Sequence, residues 1–327
     1  MDTLLADHFD KLLDGICSTA DVRAIEAGAA VEPFWSGIQE SGFLDALLPE
    51  ANGGAGLGLC DAAPLLFLLG ARAFPLPVAE TMVARALLDQ AGHSFPTGPI
   101  VLAAPSPGGA SLVPFAAVAS HVLLDTGHGA GLYARDALDI RDPGIHGSLA
   151  MQVHGTGDGR PLAMVERPTG GLAQVAAVIR AGQIAGAAGK VLAMSVAYAR
   201  DRVQFGKPIG AQQAIQQNLA VMAELAITAG MAARIGCSGG LSPSIELAAV
   251  AKHATSRAAC EIANIAHAVH GAIGISEEFD LQLLTRRLHE WRAADGSDGW
   301  WARRLGERRL ASGADSSVAY IRSIGTA

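Results

Sequence analysis

Four long helices built from small residues dominate the C-terminal half, and they limit the fold more than any other feature of the chain. Apolar positions recur at helical spacing over 182–202, 211–236, 242–272 and 277–294. Half of the 327 residues are hydrophobic and only 5% are aromatic, so Ala, Val, Leu and Ile make the buried faces. Small side chains let helix axes approach closely, and four such helices joined by short breaks form a bundle.

The rest of the chain changes period twice. Residues 2–92 read as helices broken at 32–33, 48–58 and 74–77. The middle break, Leu48-Pro49-Glu50-Ala51-Asn52-Gly53-Gly54-Ala55-Gly56-Leu57-Gly58, is a corner between helices, with the next helix restarting at Asp61. It has no Lys-Ser/Thr after it and no β run before it, so it does not read as a phosphate loop. Over 94–165 short apolar runs (99–104, 116–124, 131–134) alternate with Gly, Pro, Asp and His turns, the pattern of β-strands. The expected fold is mainly α with a small β domain: an N-terminal helical domain at 1–93, a short middle β domain at 94–167 and a C-terminal helical bundle at 168–327.

Charge and cysteine usage narrow the function. The net charge is −7 with no basic block, which argues against a nucleic-acid or anionic-membrane partner. Apolar runs such as 62–69 are far shorter than the ~20 residues of a bilayer span. The acidic, amphipathic start resembles no signal or transit peptide. Cys17, Cys60, Cys237 and Cys260 lack metal-ligand spacing and read as buried thiols of a cytoplasmic protein. His267 and His270 share a helical face, but no third ligand stands nearby, so no metal site is expected.

The segment Tyr198-Ala-Arg-Asp-Arg202-Val-Gln-Phe205-Gly-Lys-Pro-Ile-Gly-Ala-Gln-Gln213 joins a guanidinium and an aromatic ring at a helix end, where they serve either as a surface cap or as a grip on a planar anion. The segment resembles the Arg-x-x-Phe-Gly plus Gln signature of acyl-CoA dehydrogenases. So do Trp35, Gly42-Phe43-Leu44 and Pro49-Glu50 with the glycines after them, Pro75 to Thr81, and His270-Gly271-Ala272-Ile273-Gly274-Ile275-Ser276-Glu277-Glu278-Phe279. The resemblance runs over the whole chain and is weakest in the middle. It implies an α–β–α architecture and an FAD. Arg202, Phe205 and Gln213 would hold the diphosphate and adenine end of a neighbouring subunit's FAD, with Gly271, Gly274 and Ser276 beside the same cofactor.

The resemblance further implies a carboxylate base that takes the α-proton of an acyl-CoA while hydride leaves the β-carbon. In the family's register that position is Asp295, in the triplet Asp295-Gly296-Ser297, with Ser297 at the cofactor. The other base position of the family falls near Ala176, where no carboxylate stands. From the residues alone, Asp295 equally reads as a cap for a helix over 299–310. Three departures stand out: a short middle domain without a recognisable flavin-ring strand, which would begin near Pro105-Ser106-Pro107-Gly108-Gly109; Ala268 in place of Gln; and Gly299 in place of Gln. They imply one subunit of a dimer or tetramer, homomeric or with a related chain, that passes electrons to an electron-transfer flavoprotein. The alternatives are a non-catalytic subunit completing a partner's FAD site, and a flavin oxidase or monooxygenase of the same fold.

Overall fold

The computed structural model describes residues 3–104, 109–156 and 159–324; the stretch in which the flavin-ring strand was sought lies largely outside them. The helices α1 (Thr3–Ile16), α2 (Thr19–Glu26), α3 (Glu32–Glu40), α4 (Leu59–Ala71) and α5 (Val78–Gln90) come first. The glycine-rich corner leads into α4, where Asp61 accepts a hydrogen bond from the backbone N–H of Gly58 at 3.3 Å. Helix α5 is buried on every side from Val78 to Leu88, including Glu80 and Arg85.

Among the described residues seven short strands follow: β1 (Ile100–Ala103), β2 (Ser111–Val113), β3 (His121–Asp125), β4 (Ala130–Ala134), β5 (Asp139–Arg141), β6 (Met151–Gly155) and β7 (Ala163–Val165). They make one sheet of order β1-β3-β4-β7, with β1 parallel to β3, and a second of order β2-β6-β5. The runs at 99–104 and 131–134 are strands as the sequence predicts. The run at 116–124 is strand only in its second half, because Phe115 adopts a left-handed φ of 62° and turns the chain before β3 begins. The strands the sequence did not reveal are mostly three residues long and only partly buried, too short for a period to register.

Helices α6 (Leu172–Asp201), α7 (Gln213–Cys237), α8 (Ile245–His270), α9 (Leu281–Ala293), α10 (Asp298–Ala311) and α11 (Ser317–Ile324) complete the chain, with the hairpin β8 (Val203–Gln204) and β9 (Lys207–Pro208) between α6 and α7. Helix α6 starts ten residues before the sequence suggested. Its first turns are buried almost all round, Gln174 and Arg180 included, and no exposed polar face marks a period there. Asp125, at the end of β3, fixes this start: it accepts from the backbone N–H of Leu172 at 3.0 Å and pairs with Arg167 at 2.8 Å. The carboxylate satisfies an orphan donor at the positive end of the helix and ties the sheet to the bundle.

Helices α6 and α7 are each long and apolar enough to cross a bilayer on length and composition alone, which the shorter runs in the sequence did not suggest; α6 is mostly buried within the chain, and α7 packs on α6 and α8. The cysteines meet the expectation of burial only in part. Cys17 and Cys237 are buried, Cys260 is half-buried and Cys60 is exposed.

Helices α4 and α6 meet backbone to backbone. A Cβ at Gly186 would stand 1.8 Å from the carbonyl oxygen of Phe67, and one at Gly70 would stand 1.9 Å from that of Gln183. Neither backbone can move aside without separating the helices. Gly186→Ala is therefore expected to destabilise the chain by about 1–3 kcal/mol, the usual range for overpacking. Urea denaturation should show the lower midpoint at an unchanged slope. Gly189→Ala on the same helix, with nothing within 4 Å of its Cβ, should be neutral or slightly stabilising. Equal midpoints for the two variants would refute this account of the contact.

Candidate active site

Asp295 lies in the loop between α9 and α10, with a left-handed φ of 54°, followed by Gly296 at 90°. A non-glycine residue in that conformation is strained and persists only where its surroundings hold it. Here they do. Trp301 donates its indole N–H to the Asp295 carbonyl at 2.9 Å. The Lys252 ammonium on α8 donates to the carbonyls of Gly296 at 2.9 Å and Arg292 at 3.1 Å, and to the Ser256 hydroxyl at 3.1 Å. Asp295 does not cap α10. That cap is Ser297, whose Oγ accepts from the backbone N–H of Trp300 at 3.3 Å. The Ser297 hydroxyl, expected at the cofactor, is thus engaged by its own helix.

The Asp295 side chain belongs to a buried ion set. Arg180 on α6 donates from Nε to Asp295 Oδ2 at 3.0 Å, from Nη2 to Glu80 Oε1 at 2.8 Å, and from Nη1 to Gln183 Oε1. The side chains of Arg180, Glu80 and Asp295 are 2%, 3% and 12% exposed. Phe115 and Trp291 flank the guanidinium, their ring centroids 5.3 and 5.7 Å from its carbon, within cation–π range. Burial pushes the Glu80 carboxyl above its ordinary range, with Arg180 opposing, and Glu80 Oε2 is buried without a partner. Burial also weakens the Arg180 charge, but the two carboxylates outweigh it and hold the guanidinium protonated. Burial lowers Lys252 to about 7, against the pull of Asp295.

Asp295 also lines a cavity of about 360 Å³ between the strands and the bundle, walled by Leu102, Ser111 and Val113 on one side and by Ala173, Gly296 and Trp300 on the other. That volume is at the low end of the ~300–1,000 Å³ typical of ligand pockets. One carboxylate, anchored from behind by Arg180 and facing a small, largely apolar space, can take a proton from a group held there.

The other predicted residues gather at the far end of α6. Arg202 ends that helix, exposed, and among the described residues its guanidinium has no partner in the chain. Phe205 stands 93% exposed at the tip of the β8–β9 hairpin, where φ of 52° at Phe205 and 79° at Gly206 makes the tight two-residue turn. Gln213 opens α7, exposed. The turn after α8 is brought alongside: Tyr198 stacks on His270 at 4.5 Å and donates its hydroxyl to the His270 carbonyl at 3.3 Å. In that turn, a short 3-10 helix over Gly271–Ile275, Gly271 is exposed with φ 64°, Gly274 is buried, and Ser276 closes the C-terminal end, its hydroxyl accepting from the Glu278 N–H at 3.3 Å. From Arg180 to Arg202, the 1.5 Å rise per residue of an α-helix gives about 33 Å. The structure brings Arg202, Phe205, Gln213 and the Gly271–Ser276 turn to one end and Asp295 and Ser297 to the other, too far apart for one dinucleotide to span.

Residues 170–310 match the family described as acyl-CoA dehydrogenase, C-terminal domain. The chain is 30% identical over 88% of its length, and 91% of the relative's, to acyl-CoA dehydrogenase IpdE2 of Mycolicibacterium smegmatis. The chain belongs to the acyl-CoA dehydrogenase family. It is 31% identical to IpdE2 of Mycobacterium tuberculosis, over 74% of this chain and 76% of that one. In fold it resembles the ChsE4-ChsE5 complex from M. tuberculosis, with a TM-score of 0.78 at 20% identity over 96% of this chain and 99% of that one. It is thus an oxidoreductase of mainly helical fold with a small β region.

The residues this acyl-CoA dehydrogenase adds beyond the sequence reading are Glu80, Arg180 and Lys252. Each is a lone charge inside an apolar run: Val78-Ala79-Glu80-Thr81-Met82, Val178-Ile179-Arg180-Ala181, and Ala249-Val250-Ala251-Lys252. Charged residues are almost never fully buried unless paired, so such isolated charges signal buried polar partners: an ion pair for Glu80 and Arg180, and backbone carbonyls for Lys252.

Proposed function

We propose that this chain catalyses FAD-dependent α,β-dehydrogenation of an acyl-CoA thioester as one subunit of a multimer with a related chain. The observation that carries the reading is Asp295, held in a strained backbone conformation at the wall of the cavity between strands and bundle. Asp295 takes the α-proton; bound FAD supplies the acceptor for the β-hydride. The division at 1–93, 94–167 and 168–327, the electron-transfer flavoprotein as electron acceptor and a cytoplasmic location form part of the same proposal.

The described residues fit an FAD shared between subunits. The cavity at Asp295 is too small for the whole cofactor, and Arg202 with the exposed Phe205 offers an unpartnered cation and an aromatic face to something outside the chain. Arg202, Phe205, Gln213, Gly271, Gly274 and Ser276 would hold the diphosphate and adenine end of a neighbour's FAD, and Ser297 would lie at this chain's own. The ChsE4-ChsE5 structure is itself a complex, which supports pairing with a related subunit.

Arg202→Ala tests the cofactor contact. Charge-assisted hydrogen bonds contribute about 1.5–3 kcal/mol, so flavin affinity of the assembled protein should fall about tenfold or more. Thermal stability should not change, since the guanidinium has no partner among the described residues. Lost stability with flavin affinity intact would make Arg202 a structural cap. One observation favours a second reading, a non-catalytic subunit that completes a partner's FAD site: Arg180 already engages Asp295. Bleaching of bound flavin on anaerobic mixing with acyl-CoA, lost in Asp295→Asn, separates the two.

A further inference from the structure

We infer that Glu80 is a positioning residue for proton abstraction: by holding one side of the Arg180 guanidinium, it leaves the Asp295 carboxylate only partly neutralised and able to take a proton. The inference rests on Asp295 being the base.

The argument is one of charge balance in a dry place. Glu80, Arg180 and Asp295 form a set of two carboxylates and one guanidinium, nearly cut off from water. A lone Arg–Asp pair would be neutral, and protonating its carboxylate would strand a buried cation. With Glu80 ionised, the form that its 2.8 Å pairing with Arg180 favours against burial, these three groups carry one negative charge in excess, and a proton arriving on Asp295 balances it. Arg180 then remains paired with Glu80, so no buried charge is left alone after the transfer. Electrostatics of this kind is strong where water is excluded. In the step itself the α-C–H bond breaks, the new bond forms to an Asp295 carboxylate oxygen, and the electron pair stays with the substrate as the enolate.

Geometry fixes who takes part. Glu80 reaches Arg180 from α5, in the N-terminal helices, whereas Asp295 comes from the loop after α9, so the set joins distant parts of the chain. The other charges around it are Glu290 and Arg292 on α9, Lys252 on α8 and Asp298 on α10. Glu290 is engaged by the Ser148 hydroxyl at 2.6 Å and by Arg287 at 3.4 Å. Lys252 is committed to the carbonyls of Arg292 and Gly296. Glu290 therefore does not replace Glu80 as the second carboxylate on Arg180, and Lys252, a cation that itself attracts Asp295, supplies none. The orphaned Oε2 of Glu80 also fits a charge kept for its electrostatic effect, since a residue kept only for packing would not leave a buried oxygen unsatisfied.

The test uses the FAD-loaded assembly and reads exchange of the α-protons of straight-chain acyl-CoAs, butyryl to palmitoyl, with deuterated water by mass spectrometry. Glu80→Gln keeps the shape and a hydrogen bond to Arg180 but removes the charge. Exchange should fall about tenfold, the scale of a one-unit change in proton affinity, with half-saturation unchanged. Glu80→Asp should recover most of the loss. The urea midpoint of Glu80→Gln should be unchanged or higher, because one buried charge fewer must be desolvated. Wild-type exchange in Glu80→Gln alongside slow exchange in Asp295→Asn would overturn the inference and leave the base assignment standing. Loss of rate together with stability, without recovery in Glu80→Asp, would also overturn it, by making Glu80 structural. Wild-type exchange in Asp295→Asn would remove the base assignment itself.

Discussion

Asp295→Asn should slow flavin reduction by acyl-CoA by about 10²–10⁴, the range lost when a general base is removed, with FAD still bound. The substitution suits the site because Asn keeps an oxygen for Arg180 Nε and nearly the same volume, so the loop between α9 and α10 retains its hold on Trp301 and Lys252. It also leaves Arg180 paired with Glu80 alone, a neutral buried pair, so no unpaired charge should unfold the chain. Stopped-flow mixing of the assembled protein with acyl-CoA reads the rate directly. Glu277→Gln, an exposed carboxylate in the turn ahead of α9, is the control and should reduce flavin at the unmodified rate. Reduction at full speed in Asp295→Asn would transfer the base to the partner chain and make this subunit a scaffold.

The sequence carried much of this picture because its strongest signals are local. The helices of the C-terminal half, the break at Arg202 to Gly206 and the turn after His270 are all set by residues within a few positions of one another. The structure adds that Tyr198 on His270 joins the last two. The register that singled out Asp295 was likewise a matter of spacing along one segment. What stayed hidden depends on distant partners. Glu80, Arg180 and Asp295 meet only in the folded chain, and no local pattern links them. The first turns of α6 were missed because burial erases the amphipathic period, and the cap of α10 stayed open because Asp295 and Ser297 both suit a helix N-terminus by type. Backbone geometry decides between them: Ser297 is extended with φ −73° and ψ 168°, as an N-cap requires, while Asp295 is left-handed.

Removing Arg180 should have the largest effect on stability of any single change at the site. In Arg180→Met the apolar stem is roughly kept, so Phe115 and Trp291 retain a neighbour, but Glu80 and Asp295 lose the guanidinium that bridges them. Breaking a buried ion pair by deleting one partner typically costs about 3–5 kcal/mol, because the remaining charge stays desolvated. Here two carboxylates remain, on α5 and on the loop after α9, so the loss should loosen the junction between the N-terminal helices and the bundle. Lys252 cannot take over, since its ammonium is tied to the carbonyls of Arg292 and Gly296 and burial already lowers it to about 7. The companion is the double variant Arg180→Met with Glu80→Gln. With one carboxylate neutralised in advance, it should recover a substantial part of the lost stability, the non-additivity expected of residues in one network. Urea denaturation of the wild type, the two single variants and the double completes the cycle. Should Arg180→Met shift the unfolding free energy by less than about 1 kcal/mol, the range of an exposed salt bridge, then water reaches the set and the charge balance inferred for Glu80 fails with it.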